Sequence, residues 1–198
     1  MNLKKLQNNP LFDVALFAVC LFGANILWKM CVNGDESSDF VTVLGMDASR
    51  IFNAVSHYLT TRVYWVLQLF RPTVHLYEPD VVWFDSGFAS RIIWGCTAIK
   101  QSFIWLIIML FARGKSLRKL WFIPFGWVMI HIFNVVRISL IDLLCEFHPT
   151  MFEFWHGFFF KYLFYFMMFL LWVWWNEKLG LIPRPTPKRK KATEEQND

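Results

Sequence analysis

Long apolar runs separated by shorter polar stretches dominate this chain. A helix needs about 20 mostly apolar residues to cross the hydrocarbon core of a bilayer. Four runs approach or exceed that length, at 11–27, roughly 97–112, 120–144 and 157–175. The pattern therefore predicts an all-α fold, a polytopic membrane bundle with about four transmembrane helices.

A fifth stretch, 51–70, has a different pattern. Its polar residues fall close to one helical stripe and its apolar residues lie opposite, which is typical of an amphipathic helix. The polar set is Arg50, Asn53, His57, Thr61, Gln68 and Arg71, and the apolar set is Phe52, Val55, Leu59, Val63 and Phe70. Two placements fit this pattern: the helix lies in the membrane interface, or it packs against the bundle with one wet face.

Composition favours a lipid-facing surface. Of the 198 residues, 56% are hydrophobic and 18% are charged, with 22 Phe, 11 Trp and 5 Tyr. Soluble domains have about 45–50% apolar and about 25% charged residues, so this chain has too little polar surface to cover its rings in water. The same figures exclude disordered and collagen-like proteins. A disulfide scaffold is excluded too, because dense spacing is lacking between Cys20, Cys31, Cys96 and Cys145.

The distribution of charge predicts the topology. Basic residues cluster near the N-terminus, at 113–119 and in the tail, whereas 32–92 and 145–155 carry a group of acids. Cytoplasmic loops are enriched in Lys and Arg. Four crossings with both termini in the cytoplasm satisfy this rule, and they place 32–92 on the outer side. A full crossing by 51–70 would put one basic cluster outside, so this segment is predicted not to span the membrane.

The chain is expected to divide into two parts. Residues 1–180 form a single membrane-embedded domain, and 181–198 form a basic and then acidic cytoplasmic tail. No small-x-small cleavage site follows the first apolar run, so we expect a retained anchor in the inner (plasma) membrane. The charges of the tail act as a topology signal and suit contact with membrane lipids. A lid or substrate groove is suggested by four aromatic residues of the outer segment, Tyr77, Trp83, Phe84 and Phe88.

Ionisable side chains inside apolar spans are costly and are functional candidates by default. Such residues here are Lys100, His131, Arg137 and Asp142. In the predicted topology Cys96 lies at the outer end of the second span, Arg137 below the outer end of the third, and His156 at the first turn of the fourth. We therefore expect these three residues at one depth near the outer surface. His131 is expected to serve helix packing, and Asp142 either pairs with Arg137 or caps the helix end.

Each candidate has a structural interpretation beside the functional one. A lone cysteine is most often an inert small hydrophobe. For Cys96, however, a helix N-terminus and Lys100, one turn along on the same face, both favour the nucleophilic thiolate. His156 could be an interfacial residue bonded to the acid three positions earlier, and Arg137 could reach lipid phosphates. Asn134, one turn before Arg137, either belongs to the site or bonds a neighbouring helix.

Cofactors and nucleic acids are not predicted partners. The chain has no Walker loop, no G-x-G-x-x-G and no G-x-S-x-G. Its basic residues lie where the topology already requires them, which argues against a nucleic acid. Cys145, His148 and His156 offer the ligands of a metal-dependent membrane protease, but Cys-x2-His lacks the paired spacing of a structural zinc motif. No metal site is predicted.

Three segments within 92–176 resemble the exosortase/archaeosortase family: WGCTAIKQSFIWLIIMLFARG, KLWFIPFGWVMIHIFNVVRISLIDLL and FWHGFFFKYLFYFMMFLLWVWW. The family pattern has a cysteine near the outer end of one span, Asn-x-x-Arg in the next and a histidine opening the one after. These positions correspond to Cys96, Asn134 with Arg137, and His156. The length of the chain is similar to the compact form of the family in Bacteroidetes-type bacteria.

The chain departs from the family pattern at one place. Many members follow the cysteine with Ser-Gly or a close variant, whereas this chain has Thr97 and Ala98. Ala98 is small enough to keep close backbone packing, so we still expect activity. His148 is a rival for the histidine role, but His156 opens the fourth span and is followed by the aromatic run.

The resemblance implies a membrane-embedded cysteine transpeptidase or protease that cleaves C-terminal sorting signals of exported proteins at the outer, periplasmic face. Cys96 would form a thioacyl intermediate, His156 would carry the proton, and Arg137 would hold the oxyanion. Asn134 and Lys100 would support them. A lipid or glycan amine, or water, would release the acyl group of the secreted substrate protein.

A non-catalytic polytopic membrane protein is the alternative from another class. A transporter subunit or a scaffold for polysaccharide export would use Asn134 and Arg137 for helix packing or lipid binding. Cys96 would then be replaceable, which separates this alternative from a thiol enzyme.

Overall fold

The computed structural model describes residues 10–35, 39–77 and 79–179. The predicted tail at 181–198 and the basic residues at 4–5 lie outside the described residues. The described part is mainly helical and contains five α-helices: α1 Pro10–Cys31, α2 Ser49–Phe70, α3 Ile99–Phe111, α4 Ser116–Phe147 and α5 Phe160–Trp174.

The predicted fold class is confirmed. Four helical segments are long and apolar enough to cross a membrane: Leu11–Cys31, Trp94–Phe111, Ser116–Phe147 and Pro149–Lys178. Short 3-10 and π segments lengthen the second and fourth of them, and these are Trp94–Cys96, Pro149–Met151, Glu153–Phe159 and Trp175–Leu179. Helix α4 has 32 residues and is about 48 Å long at about 1.5 Å per residue. This exceeds the hydrocarbon thickness of about 30 Å, so α4 is long enough to extend beyond the bilayer.

Two small antiparallel sheets lie between α1 and α3, and the hydrophobic pattern did not predict them. The first has the order β1 Val32–Gly34, β2 Val41–Val43 and β3 Met46–Asp47. The second has the order β4 His75–Tyr77, β5 Val81–Trp83 and β6 Ala89–Arg91. In the first sheet Val43 pairs with Met46, and in the second Trp83 pairs with Ala89. Strands of two or three residues are too short to show an alternating pattern.

The first of two hydrophobic cores, the helical core, is formed by α1, α3, α5 and the first half of α4. Its largest fully buried side chains are Trp105, Phe122, Phe164 and Trp175. Gly126 of α4 makes room for Trp105, because a Cβ atom at this position would overlap the indole ring. The Trp105 ring nitrogen donates a hydrogen bond to the carbonyl of Ile123. Close approach of α3 and α4 therefore depends on a glycine.

The second core, the sheet core, lies between α2, the second sheet and the later half of α4. Its buried residues are Leu59, Val63, Leu67, Val74, Val82, Phe84, Ile92, Val135 and Ile138. The Ser56 hydroxyl of α2 donates a hydrogen bond to the carbonyl of Ile92, just after β6. This bond fixes the segment that leads into the 3-10 turn Trp94–Cys96, hereafter the Cys96 turn, to α2.

Helix α2 packs along α4 and runs parallel to it. Tyr58 stacks on His131 with ring centroids 5.5 Å apart, and farther along both helices Arg71 Nε lies 3.0 Å from Glu146 Oε2. Of the two placements predicted for α2, the structure therefore has the helix packed against the bundle. His131 occupies a helix–helix contact, as expected.

The buried face of α2 matches most of the predicted apolar stripe. Phe52, Leu59 and Val63 are buried, whereas Phe70 is 63% exposed. Phe70 is the last residue of the helix, and the final turn is buried through Leu67 instead. Phe70 therefore lies on the predicted apolar stripe but outside the buried face.

Candidate functional site

Cys96 lies in a tight turn in front of α3. It is the last residue of the 3-10 turn Trp94–Cys96, and the Thr97 N–H closes this turn by bonding the Trp94 carbonyl at 3.2 Å. The Thr97 hydroxyl donates to the same carbonyl at 2.7 Å. Helix α3 begins only at Ile99. Cys96 is therefore just before the first helical turn, as the sequence predicted.

Ala98 separates the Cys96 turn from α3 by a sharp change of backbone direction. Its φ is 58°, in the left-handed region, and its side chain is buried. Glycine is favoured there because it has no Cβ atom. In the family pattern this is the position of the glycine that follows the cysteine. Because Ala98 interrupts the helix, Cys96 and Lys100 do not belong to one continuous helix. The support of Cys96 by Lys100 stays a prediction.

Asn134 connects α4 to the Cys96 turn. Its Nδ2 donates a hydrogen bond to the carbonyl oxygen of Cys96 at 2.7 Å. The residue is fully buried, and its Oδ1 has no hydrogen-bond partner. A buried amide oxygen without a partner is unusual in a folded protein. Asn134 therefore both fixes the backbone of Cys96 and offers an acceptor.

Arg137 brings a buried positive charge to the same place. The residue is only 8% exposed, and its guanidinium is close enough to Cys96 and Tyr165 to interact with them electrostatically. Its Cζ lies 5.8 Å from the ring centroid of Phe164, and its Nε has no hydrogen-bond partner. Burial is inconsistent with the interpretation that Arg137 reaches out to lipid phosphates. A buried, incompletely bonded guanidinium costs stability and is a functional candidate.

Asp142 does not form an ion pair with Arg137, although both residues are in the described part of the chain. The carboxyl group is buried inside α4, interacts with the Ser90 hydroxyl of β6, and leaves Oδ2 without a partner. Since α4 continues to Phe147, Asp142 does not cap the helix end either. Both predicted roles of Asp142 are therefore wrong.

His156 lies in the π-helical segment Glu153–Phe159, where its ring stacks on Phe152 with centroids 5.0 Å apart. Helix α5 runs antiparallel to α4. Phe160 contacts Ile141 and Cys145 of α4, and Phe164 contacts Phe133, so the contacts step back along α4 as α5 proceeds.

The contact between Arg137 and α5 lies at Phe164, whose ring centroid is 5.8 Å from Arg137 Cζ. His156 belongs to the segment that leads into α5. Cys96 and Arg137 are close enough to interact electrostatically, as their expected common depth requires. The expectation that His156 shares this depth stays a prediction.

Aromatic and aliphatic side chains lie between the two parts of the site. Phe88, from the turn before β6, packs against the sheet core, which Cys96 also contacts. Phe88 also packs against the small cluster of Ile141, Cys145 and Phe160, which includes Trp155, the neighbour of His156. The outer segment therefore contributes apolar cover to the site, through one of the four aromatic residues singled out in the sequence.

The rival metal-binding arrangement is not assembled. Cys145 is buried against Ile141 and Phe160, whereas His148 is exposed where α4 ends. Within the described ranges no group of three His, Cys, Asp or Glu side chains is placed to hold a metal ion.

Sequence reasoning missed two neighbours of Arg137, both on α5. Phe164 lies beside the guanidinium, and Tyr165 interacts with it electrostatically. Neither stands out in the sequence, because both belong to a run in which most positions have an aromatic ring. Only the relative rotation of α4 and α5 selects them.

No family model, curated protein or solved structure matches this chain.

Proposed function

We propose that this chain is a membrane-embedded cysteine transpeptidase or protease of the exosortase/archaeosortase kind, cleaving C-terminal sorting signals of exported proteins. The observation that carries the proposal is the placement of Cys96 against Asn134 and Arg137. Two buried polar atoms there, Asn134 Oδ1 and Arg137 Nε, have no hydrogen-bond partner among the residues that the structure describes. A substrate peptide offers the N–H donor and the carbonyl oxygen that would satisfy them.

The proposed reaction begins at Cys96. Its thiolate attacks a substrate peptide carbonyl, forming a C–S bond while the carbonyl electron pair moves to oxygen. Arg137 donates to this oxyanion in a water-poor environment, where a fixed positive charge is most effective. Collapse of the intermediate breaks the C–N bond and gives a thioester on Cys96 and a free amine on the departing segment.

His156 is the proposed proton carrier. It accepts the thiol proton and gives it to the leaving amine, and it later accepts a proton from the incoming nucleophile. The nucleophile is an amine of a lipid or glycan, or water, and its attack releases the acyl group.

The proposed location is the inner membrane, with the termini in the cytoplasm and the site at the periplasmic side. Arg113, from the basic cluster between α3 and α4, lies at the end of α3 opposite to Cys96. There its Nε forms an ion pair with Asp13 Oδ1 of α1 at 3.1 Å, and its carbonyl accepts from Trp175. The basic cluster and Cys96 are thus at opposite ends of the bundle, as the positive-inside rule requires of this orientation.

Mapping of C-terminal peptides tests the proposal on all exported membrane proteins at once. These proteins are compared between cells that produce the native chain and cells that produce Cys96→Ser. We expect one group of proteins to lose a C-terminal hydrophobic segment only with the native chain. Cys31→Ser is the matched control and should leave processing intact. Unchanged processing in Cys96→Ser would contradict the proposal and favour a non-catalytic scaffold or transporter subunit.

A further inference from the structure

The turn between β2 and β3 has an unusual sequence for its conformation. Val43 pairs with Met46, so Leu44 and Gly45 form a two-residue turn, with φ of 51° and 80° respectively. Turns with positive φ at both central positions strongly prefer Asn-Gly or Asp-Gly. Leucine is a poor choice for such a backbone, which indicates that its side chain is needed at this place.

The side chains at this turn are apolar and exposed. Leu44 is 69% exposed, Met46 67% and Phe40, just before β2, 55%. Isolated exposed apolar residues are ordinary, but a cluster at the tip of a hairpin is typical of a contact surface.

The turn is held at the end of a membrane span. The Leu44 N–H donates to the carbonyl oxygen of Cys31 at 2.7 Å, and Cys31 is the last residue of α1. Met30, in the last turn of α1, is 74% exposed. Leu44 and Met46 therefore continue the exposed apolar surface of a helix long and apolar enough to cross a membrane.

The next residue limits how far the turn can enter an apolar phase. The Asp47 carboxylate accepts hydrogen bonds from the Ser49 N–H at 2.9 Å and from the Ser49 hydroxyl at 2.6 Å. These bonds lower the pKa of Asp47, so it is ionised at neutral pH. A fixed negative charge beside Met46 stops insertion at the headgroup level and disfavours anionic lipids.

We propose that the 44–46 turn is a membrane-surface anchor that inserts Leu44 and Met46 into the headgroup region of a zwitterionic bilayer. The anchor fixes the first sheet at the end of α1. It does not depend on the proposed enzymatic activity, because it rests on the position of the turn relative to α1 alone.

Fluorine NMR tests the anchor on the full chain. Trifluoromethyl-phenylalanine replaces Leu44, or as a control Ser86, which is exposed in the turn between β5 and β6. The protein is placed in phosphatidylcholine nanodiscs. Relaxation of each fluorine signal is measured with a nitroxide on the lipid headgroup and, separately, with a gadolinium chelate in the water.

We expect the lipid nitroxide to relax the signal at position 44 several-fold more than the signal at position 86, and the chelate to do the reverse. Equal relaxation by the aqueous chelate at both positions would overturn the proposal. In a second experiment the fluorinated residue replaces Met46, with either Leu44 or Leu44→Asn beside it. Asparagine suits the positive φ at position 44, so this variant keeps the turn and removes only the apolar side chain. Loss of the lipid effect at position 46 is expected there, and an unchanged effect would show that Leu44 is not part of the anchor.

Discussion

The side-chain amide of Asn134 donates a hydrogen bond to the backbone carbonyl of Cys96, with 2.7 Å between the two atoms. This bond joins the middle of α4 to the turn that precedes α3. It positions the candidate nucleophile through its backbone carbonyl. Three residues farther along α4, Arg137 adds the positive charge.

Replacing Asn134 with alanine should destabilise the protein. The carbonyl of Cys96 would lose its donor, so we expect a loss of about 1–3 kcal/mol in the free energy of unfolding. Thermal unfolding in nanodiscs measures it. Trp127→Phe is the control, because it removes another hydrogen bond that α4 donates, from Trp127 Nε1 to the Ser102 carbonyl of α3, at a more exposed place. A loss no larger than in this control would mean that the Asn134 bond does not hold the turn.

Glycine at position 98 should stabilise the protein. Ala98 has a φ of 58°, and relief of a left-handed alanine is worth about 1 kcal/mol. The same change at Ala24, buried within helix α1, should instead destabilise by a similar amount, because glycine is unfavourable in a helix. The free energy of unfolding, measured for both variants in parallel, should rise for Ala98→Gly and fall for Ala24→Gly. A fall in both variants would contradict the strain at Ala98.

Thr97 and Ala98 show what the sequence could and could not predict. The sequence motifs brought Cys96, Asn134 and Arg137 to attention, and the predicted topology placed Cys96, Arg137 and His156 at one depth. The backbone at Ala98 was not predictable, because an alanine gives no signal of positive φ. The prediction for Lys100 assumed a continuous helix, whereas α3 begins only at Ile99.

The outer segment shows the opposite limit. Helix α2 was visible from its polar and apolar stripes, since 22 residues contain six turns of pattern. The two sheets were not visible, because their strands have at most three residues and their pairing depends on contacts with α1 and α2. His156 was predicted from the start of an apolar run, but the π-helical form of the segment around it gives no signal in the sequence.

Methionine at position 137 should separate activity from stability. The Arg137 guanidinium is buried and its Nε lacks a partner, so an apolar side chain of similar length avoids a desolvation cost. We expect the free energy of unfolding of Arg137→Met to be unchanged or higher by about 1–3 kcal/mol, while processing of exported proteins is lost. Arg137→Lys should also lose processing, because it lacks the planar donor pair.

The contrary result for Arg137 is equally clear. A large loss of stability in Arg137→Met would make the residue a structural support for α4 and α5. Retained processing in that variant would remove Arg137 from the proposed chemistry.

Alanine at position 126 should disturb the packing of α3 against α4. A Cβ atom on Gly126 would overlap the Trp105 indole, and such overpacking costs about 1–3 kcal/mol. Gly23→Ala in α1 is the control, because nothing lies within 4 Å of a Cβ atom there. Thermal unfolding should show a loss of stability for Gly126→Ala and a gain of stability for Gly23→Ala. Equal effects would contradict the close approach of α3 and α4.

The central claim is that Cys96 is a nucleophile on the outer side of the membrane, supported by Arg137. Its most direct test is the rate of labelling of intact cells with a membrane-impermeant maleimide, in a Cys31→Ser background, at pH values from about 6 to about 8.5. The thiolate reacts, and in an ordinary thiol of pKa about 8.5 its fraction falls about tenfold for each pH unit below that value. We predict labelling of Cys96 that persists in the acidic half of this range and weakens there in Arg137→Met. Labelling only after the membrane is opened would invert the topology, separate Cys96 from any exported substrate and contradict the account.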